Sequence, residues 1–518
     1  MTRQWLAALV LAAGTMMLYW QQLERVPPNL SHDEVIYSLH AKSIAATGRD
    51  VNGRLMPLFF QVAGGYWATP VSIYVTAAML TILPLTETVV RMPNVIIGAL
   101  DVGLVYLLTL RISKSQVQAL VAAVLFALTP AHLIHARMAG DLIYPLPFLL
   151  ASLLCLTEYF EKGDRRLLFI GSALMGVGCY TYLGAAVVAP LVFVVLCIVI
   201  VRFQPAPLYA LAIAVAGFAV PLLALVPWLI WHPGQFSSQI QMYGVYDAAH
   251  LNPLAGLLDF LSFESVSKRA VLYYQGFNPS YLFLGGDSSL MNSTRAAGVL
   301  LWPTAVFLPI GINHIINRDR SAGHLLVLAV FVLAPVAVLM PMEVKINREL
   351  LLLPAAAMIS ACGALVMLRA RNKIWAVAAI VLLAVAVRSF VPFYRDYLTE
   401  YRVRASFWFD RNIRGGLEDV ISRDRERPIS RVYISRTTRW IDWYWKWYLA
   451  KHRRPQLLAR TVYTVPAEID PAQMPPHSVV FGETEEMEAS TAFKTVAGRI
   501  TRIPDPDGKV WFVVFERE

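Results

Sequence analysis

Apolar and polar residues alternate along this chain in long blocks rather than in short periods. Runs of roughly 17–25 apolar residues, the length a helix needs to cross hydrocarbon, fall near 4–22, 93–111, 116–134, 142–160, 166–183, 184–202, 207–231, 296–316, 323–341, 349–369 and 373–393. Two of the polar links between them are long, 23–92 and 232–295. After residue 394 no run of that length recurs, and Arg, Asp, Glu and Trp rise instead. The pattern predicts a polytopic α-helical membrane protein over 1–393, with about 11 transmembrane helices plus interfacial helices. A small soluble α/β domain at 394–518 follows it. In that tail Arg431-Val-Tyr-Ile-Ser435, His477-Ser-Val-Val-Phe481 and 509–515 read as strands, Asp505-Pro-Asp-Gly508 as a turn, and 396–422 and 437–451 as helices.

One stretch decides the topology. Segment 70–84 is apolar but has only about 15 residues between its prolines, short for a crossing. If it lies in the interface, the links holding Arg111 and Lys114, Arg165 and Arg166, Arg202, Arg318 and Arg320, and Arg369 to Lys373 fall inside, as the positive-inside rule asks. Residues 23–92, 232–295, 342–348 and the tail then lie outside, on the extracytoplasmic face of the inner membrane. If it crosses, the charge bias inverts. The reading is eleven spans. Val35 to Thr47 has apolar residues at helical spacing before Gly48, as in an amphipathic helix on the bilayer. Gly53, Pro57, Gly64-Gly65 and Tyr66-Trp67 make an irregular stretch with aromatics suited to the interface. Residues 1–19 look like a signal peptide, yet no small-residue cleavage site precedes Gln21, so a retained first span is expected.

Composition narrows the class. A chain of 518 residues with 57% hydrophobic and 15% charged residues is not a soluble globule. Its net charge of +10 sits in short links, which makes it topology information and argues against nucleic acid as a partner. Cys155, Cys179, Cys197 and Cys362 lie inside apolar segments, with no metal-like spacing and no disulfide framework.

The candidate chemistry is in the outer links. Asp33 and Glu34 sit side by side just beyond the first span, where two carboxylates can serve as general base, cation site or ligands for Mg or Mn. The plainer reading is a helix start, with Ser31 as cap and Glu34 completing a capping box. Arg137 and Asp141 share a second link, as a site or as a simple ion pair. Tyr180 and Tyr182 end a span where an aromatic belt is the default. Lys345 and Arg348 break the charge bias outside, which an anionic ligand at the outer leaflet would explain. Trp440, Trp443, Trp445 and Trp447 suit a carbohydrate or lipid platform, or core packing and interface anchoring. Asp101 is the clearest charge within a span, as in a transporter or lipid flippase, or as a buried and paired acid.

Taken in order, His32-Asp33-Glu34, Thr47-Gly-Arg-Asp50 with Leu55-Met-Pro-Leu58, Val90-Arg-Met-Pro93, Leu128-Thr-Pro130 with Ala136-Arg137, Tyr180-Thr-Tyr182, Leu282-Phe-Leu-Gly-Gly-Asp287 and Asn347-Arg348 before Leu353-Pro354 resemble a known set. They look like the polyprenyl-phosphate-dependent glycosyltransferases of the C-type membrane fold, the branch related to protein O-mannosyltransferases (glycosyltransferase family 39) and aminoarabinose transferases. The resemblance spans roughly 1–370 and implies an inverting transferase. Its donor would be a polyprenyl-phosphate sugar and its acceptor a lipid, glycan or protein. It implies Asp33 as base, Glu34 and Asp141 as supporting acids, and Arg137, Lys345 and Arg348 on the donor phosphate. His32, Tyr66, Tyr182 and Asp287 are the expected substrate contacts. The chain departs from aminoarabinose transferases at Ala68-Thr69-Pro70, where those carry Lys-Pro-Pro, so a lysine contact there does not carry over.

Overall fold

The computed structural model describes residues 2–518 apart from 63, 64, 340–342 and 495. Gly64, named above, and positions 340–342, where the 323–341 run meets the 342–348 link, lie outside the described residues. Each apolar segment contains a helix, and where a segment breaks, proline is nearby. The 116–134 run splits into Gln116–Ala127 and Pro130–His135, with Pro130 in the first turn of the second piece, where its missing N–H costs nothing. The 207–231 run bends after Pro221 into Pro207–Leu222 and Leu225–Trp231. The 296–316 run turns helical only at Thr304, after Pro303.

By length and composition, five helices among the described residues suffice to cross a membrane: Glu87–Ser113, Leu183–Phe203, Pro207–Trp231, Ala322–Leu339 and Lys373–Leu398. Gln116–Ala127, Thr304–Asn317 and Leu352–Leu368 are apolar but shorter. Thr304–Asn317 packs closely on Leu352–Leu368 because glycines let the backbones meet. A Cβ on Gly311 would strike the Ile359 carbonyl, and one on Gly363 the Phe307 carbonyl.

Helix Pro70–Leu80 spans about 16 Å at 1.5 Å per residue, well short of ~30 Å of hydrocarbon. Its N-cap Thr69 bonds Asp141 at 2.8 Å, and Glu87, just beyond its end, bonds Lys451 at 2.8 Å.

The tail forms a five-stranded mixed sheet in the order Thr461–Thr464, Val432–Ser435, Val479–Glu483, Val510–Arg517, Gly498–Pro504. The first three strands run parallel, and the last two are antiparallel neighbours closed by the Asp505–Gly508 turn. The edge strands Thr461–Thr464 and Gly498–Pro504 were not expected. Both are polar or half-exposed along one face, so no apolar run announced them. Region 396–422 is not one helix: Lys373–Leu398 runs on past 393, two short turns follow, and Ile413–Glu426 begins anew. The 232–295 link, which shows little period, contains helices Gln235–Met242, Pro253–Phe260 and Phe263–Gln275.

One hydrophobic core joins the 23–92 link to the tail: Leu30, Val35, Ile73 and Val90 share it with Leu417, Trp445, Trp447 and Phe481. Helix His32–Thr47 is therefore not laid on a bilayer as expected. Its apolar face is covered by helices Pro70–Leu80 and Ile441–His452, and Trp447 Nε1 donates to Ser38 Oγ at 2.8 Å. Trp445 and Trp447 are packing residues with no exposed surface.

Candidate active site

The start of helix His32–Thr47 separates the two adjacent acids. Ser31 is extended (φ −69°, ψ 162°); its Oγ accepts the Glu34 N–H at 3.4 Å, and the Glu34 carboxylate accepts the Ser31 N–H at 2.8 Å. The same carboxylate also accepts from Arg91 Nε at 2.9 Å, Arg91 Nη2 at 3.3 Å and the Ala139 N–H at 2.9 Å. Glu34 is thus both the capping-box residue and the anchor of two links, and its oxygens are spent. Successive helical residues point about 100° apart. Asp33 accordingly turns the other way, with its side chain 60% exposed, into a cavity of about 430 Å³.

That cavity gathers groups far apart in sequence. Besides Asp33, its wall includes His32, Tyr66, Asp141, Tyr182, Lys345 and Arg348. Glu34 reaches the wall too, but its carboxylate faces Arg91. Arg348 lies between the rings of Tyr182 and Tyr243, at 5.8 and 5.9 Å, and its Nη1 donates to the Tyr182 hydroxyl. Its Nε and the Oδ1 of Asn347 are buried and have no protein partner among the described residues. Lys345 pairs with Glu343 at 2.5 Å.

Asp141 sits opposite, 8% exposed. Burial pushes its carboxyl up to about 7; Asp33 adds to the rise, and Thr69 and Arg348 oppose it. Thr69 lies 2.8 Å from Asp141 Oδ2 and 3.0 Å from the Thr181 carbonyl, with one hydroxyl proton for two acceptors. All partners are satisfied when Asp141 carries a proton and donates to Thr69, which then donates to Thr181.

Three expected roles change. Arg137 is fully buried outside the cavity: it donates to the carbonyls of Tyr19 and Val26 (2.8 Å) and lies over the Tyr397 ring, so it pins the end of the first helix. Nothing aims it at a donor phosphate. Asp287 is not a substrate contact either. Its carboxylate accepts the Ser289 N–H at 2.7 Å and the Ile346 N–H at 2.8 Å, holding the segment that carries Arg348 against the neighbouring loop. A divalent cation shared by Asp33 and Glu34 does not fit, because Glu34 is saturated by N–H donors. Among the described residues no group of three His, Cys, Asp or Glu side chains is gathered for a metal. Asp101 is buried 3.8 Å from His132 and away from the cavity.

Sequence reasoning missed Thr69, Tyr243, Asn347 and Trp408, all of which line the cavity. Trp440 was singled out only as one of four tryptophans, and the structure separates it from the others. It stacks on His32 (5.4 Å, 15°) at the cavity wall, so the tail itself contributes to the site.

Residues 68–231 match the family model for dolichyl-phosphate-mannose-protein mannosyltransferase, less than half of the chain. The match includes Arg91, Asp141 and Tyr182 but neither Asp33 nor Arg348. A comparison with curated proteins gives no match. Among solved structures, ArnT from Cupriavidus metallidurans, bound to undecaprenyl phosphate, superposes with a TM-score of 0.57 over 98% of this chain and 97% of its own, at 14% identity. The chain has the fold of the C-type membrane glycosyltransferases. The archaeal oligosaccharyltransferase AglB from Archaeoglobus fulgidus, in complex with an inhibitory peptide and a dolichol-phosphate, aligns with a TM-score of 0.52 at 14% identity, over 99% of this chain and 74% of its own. Its five helices of membrane-crossing length and apolar composition mark the chain as an integral membrane protein.

Proposed function

We propose that this protein is an inverting glycosyltransferase that moves a sugar from a polyprenyl-phosphate donor to an acceptor at the outer face of the inner membrane. The carrying observation is that Asp33 and the half-buried Arg348, more than 300 residues apart in sequence, line one cavity. Asp33 takes the acceptor proton as the acceptor attacks the anomeric carbon. The bond from that carbon to the phosphate oxygen breaks on the opposite side, and the configuration inverts. Charge gathers on the departing phosphate, where Arg348 grips its oxygens with Lys345 nearby, stabilising the transition state more than the ground state. Asp141, hydrogen-bonded to Thr69, stands as a supporting acid at the cavity wall, and Tyr66 and Tyr182 give the sugar its walls.

This orientation requires that helix Pro70–Leu80 not be one of the crossings, which leaves the eleven spans expected from the sequence. If helix Pro70–Leu80 crossed, Asp33 and Asp141 would lie on opposite membrane faces, yet both line the cavity. The basic links then collect on the cytoplasmic side, and the tail stands outside as a soluble unit that closes the cavity.

The test is incubation of the purified protein in vesicles with a panel of radiolabelled polyprenyl-phosphate sugars and a membrane-extract acceptor. Labelled product from wild type and none from D33N is expected. Turnover by D33N near the wild-type rate would reject the base, and no wild-type turnover with any donor would reject the transferase.

A further inference from the structure

His32 stands between two carboxylates that belong to different parts of the chain. Its Nε2 is 3.6 Å from Asp33 Oδ1, and its Nδ1 is 4.0 Å from Asp410 Oδ2. Trp440 stacks on one face of the ring and fixes its plane. The backbone goes out of its way to make this arrangement: Asp410 (φ 55°), Arg411 (φ 56°) and Trp440 (φ 57°) all adopt the left-handed conformation that non-glycine residues avoid. The turn that carries Asp410 is tied from behind by Asp505, which accepts from Ser406 Oγ at 2.9 Å and from the Asn412 N–H at 2.7 Å.

Asp410 is equipped to hold a proton. Tyr444 Oη lies 2.7 Å from its carboxylate and 2.8 Å from the Leu30 carbonyl, again one hydroxyl proton for two acceptors. A protonated Asp410 donates to Tyr444, which donates to Leu30, and every partner is satisfied. Burial raises the Asp410 carboxyl, as does the charge of Asp33, while Tyr444, His32 and Arg439 oppose the rise. Its side chain keeps 28% exposure, which gives the proton an outlet to solvent.

We propose that His32 is a relay that resets the catalytic base, carrying the proton that Asp33 has gained from the acceptor across to Asp410 on the tail. The relay rests on Asp33 being that base. With donor and acceptor filling the cavity, water no longer reaches Asp33, and the imidazole is the polar group at its back. The Asp33 O–H bond breaks as a proton binds His32 Nε2, and the proton on Nδ1 passes to Asp410. The products are the Asp33 carboxylate, a neutral imidazole of the opposite tautomer and a protonated Asp410, which then loses its proton to water. Small side-chain rotations close the 3.6 and 4.0 Å gaps. His32 is a positioning and relay residue.

The experiment uses the full-length protein in vesicles with the panel member that the wild type turns over. H32A and H32Q, the second of which keeps packing area on Trp440, should each lower kcat about tenfold or more with donor KM unchanged. Added imidazole should restore part of the H32A rate. D410N, whose Asn tolerates the left-handed backbone, should lower kcat less, and the H32A/D410N double variant should be no slower than H32A alone. Wild-type kcat in H32A, a loss that imidazole does not rescue, or multiplying effects in the double variant would overturn the relay. D33N separates the two readings. An inactive D33N beside an H32A with wild-type kcat removes the relay alone, whereas an active D33N removes the base and the relay with it.

Discussion

Two links, 136–144 and 343–351, each carry an arginine at the same side of the molecule, and the structure uses them in opposite ways. Arg137 is fully buried outside the cavity and gives its two Nη groups to the carbonyls of Tyr19 at the end of the first helix and Val26 just beyond it, so it acts as a clamp. Arg348 is held by tyrosine rings and a tyrosine hydroxyl at the cavity wall. The acidic pair divides in the same way between Glu34, saturated by Arg91 and two backbone N–H groups, and Asp33, half-open to the cavity. For the acids the hydrogen-bond account separates scaffold from site; for the arginines, each of which keeps a buried Nε without a partner among the described residues, a place at the cavity wall does.

Variants can break that division. D33N gives the largest effect, a loss of about 100- to 10,000-fold in turnover with an unchanged melting temperature. A substantial loss of fold in D33N would move Asp33 to the scaffold side. R137A comes next: leaving two buried carbonyls unpaired should cost roughly 2–4 kcal/mol of stability, read as a lower melting temperature in detergent. R137A protein of normal stability but poor donor use would return Arg137 to the site. R348A should reverse that pattern. Stability stays near wild type while donor kcat/KM falls about 10- to 100-fold, the value of a lost charge-assisted hydrogen bond of ~1.5–3 kcal/mol; unchanged donor kinetics would remove its phosphate role.

The smallest effect sharpens the comparison through pH. Asp141 titrates higher in the folded protein, about 7, than its ordinary value of 3.8. A raised carboxyl contributes stability that is complete below 3.8 and is lost as pH rises through about 7. D141N mimics the protonated form, so its melting temperature should gain on wild type across that window and level off above it. A difference that does not change with pH would show that Asp141 is already ionised when folded.

Helix Gln116–Ala127 and its partners were legible as apolar runs because hydrocarbon-length hydrophobicity is written locally in sequence. The capping box at Ser31 and Glu34 was equally legible, since both its partners lie within one turn. The edge strands Thr461–Thr464 and Gly498–Pro504 were hidden, because an edge strand need not be apolar on both faces. Tyr243 gave no signal: it lies in a polar link without period, and only folding brings its ring to Arg348.

The order of apolar and polar blocks by itself determined which segments form apolar helices, where the tail begins to fold as a sheet, and which links hold the candidate charges. Hydrophobic length, turn chemistry and charge are properties of neighbours along the chain, so a linear reading reaches them. Tertiary structure alone decided that Glu34 is consumed and Arg137 is buried away from the cavity while Asp33 and Arg348 line it, and that Trp440 and Asp410 of the tail meet His32 near the first helix. Whether a polar group has spent its hydrogen bonds depends on partners tens to hundreds of residues away, and only the fold brings them together.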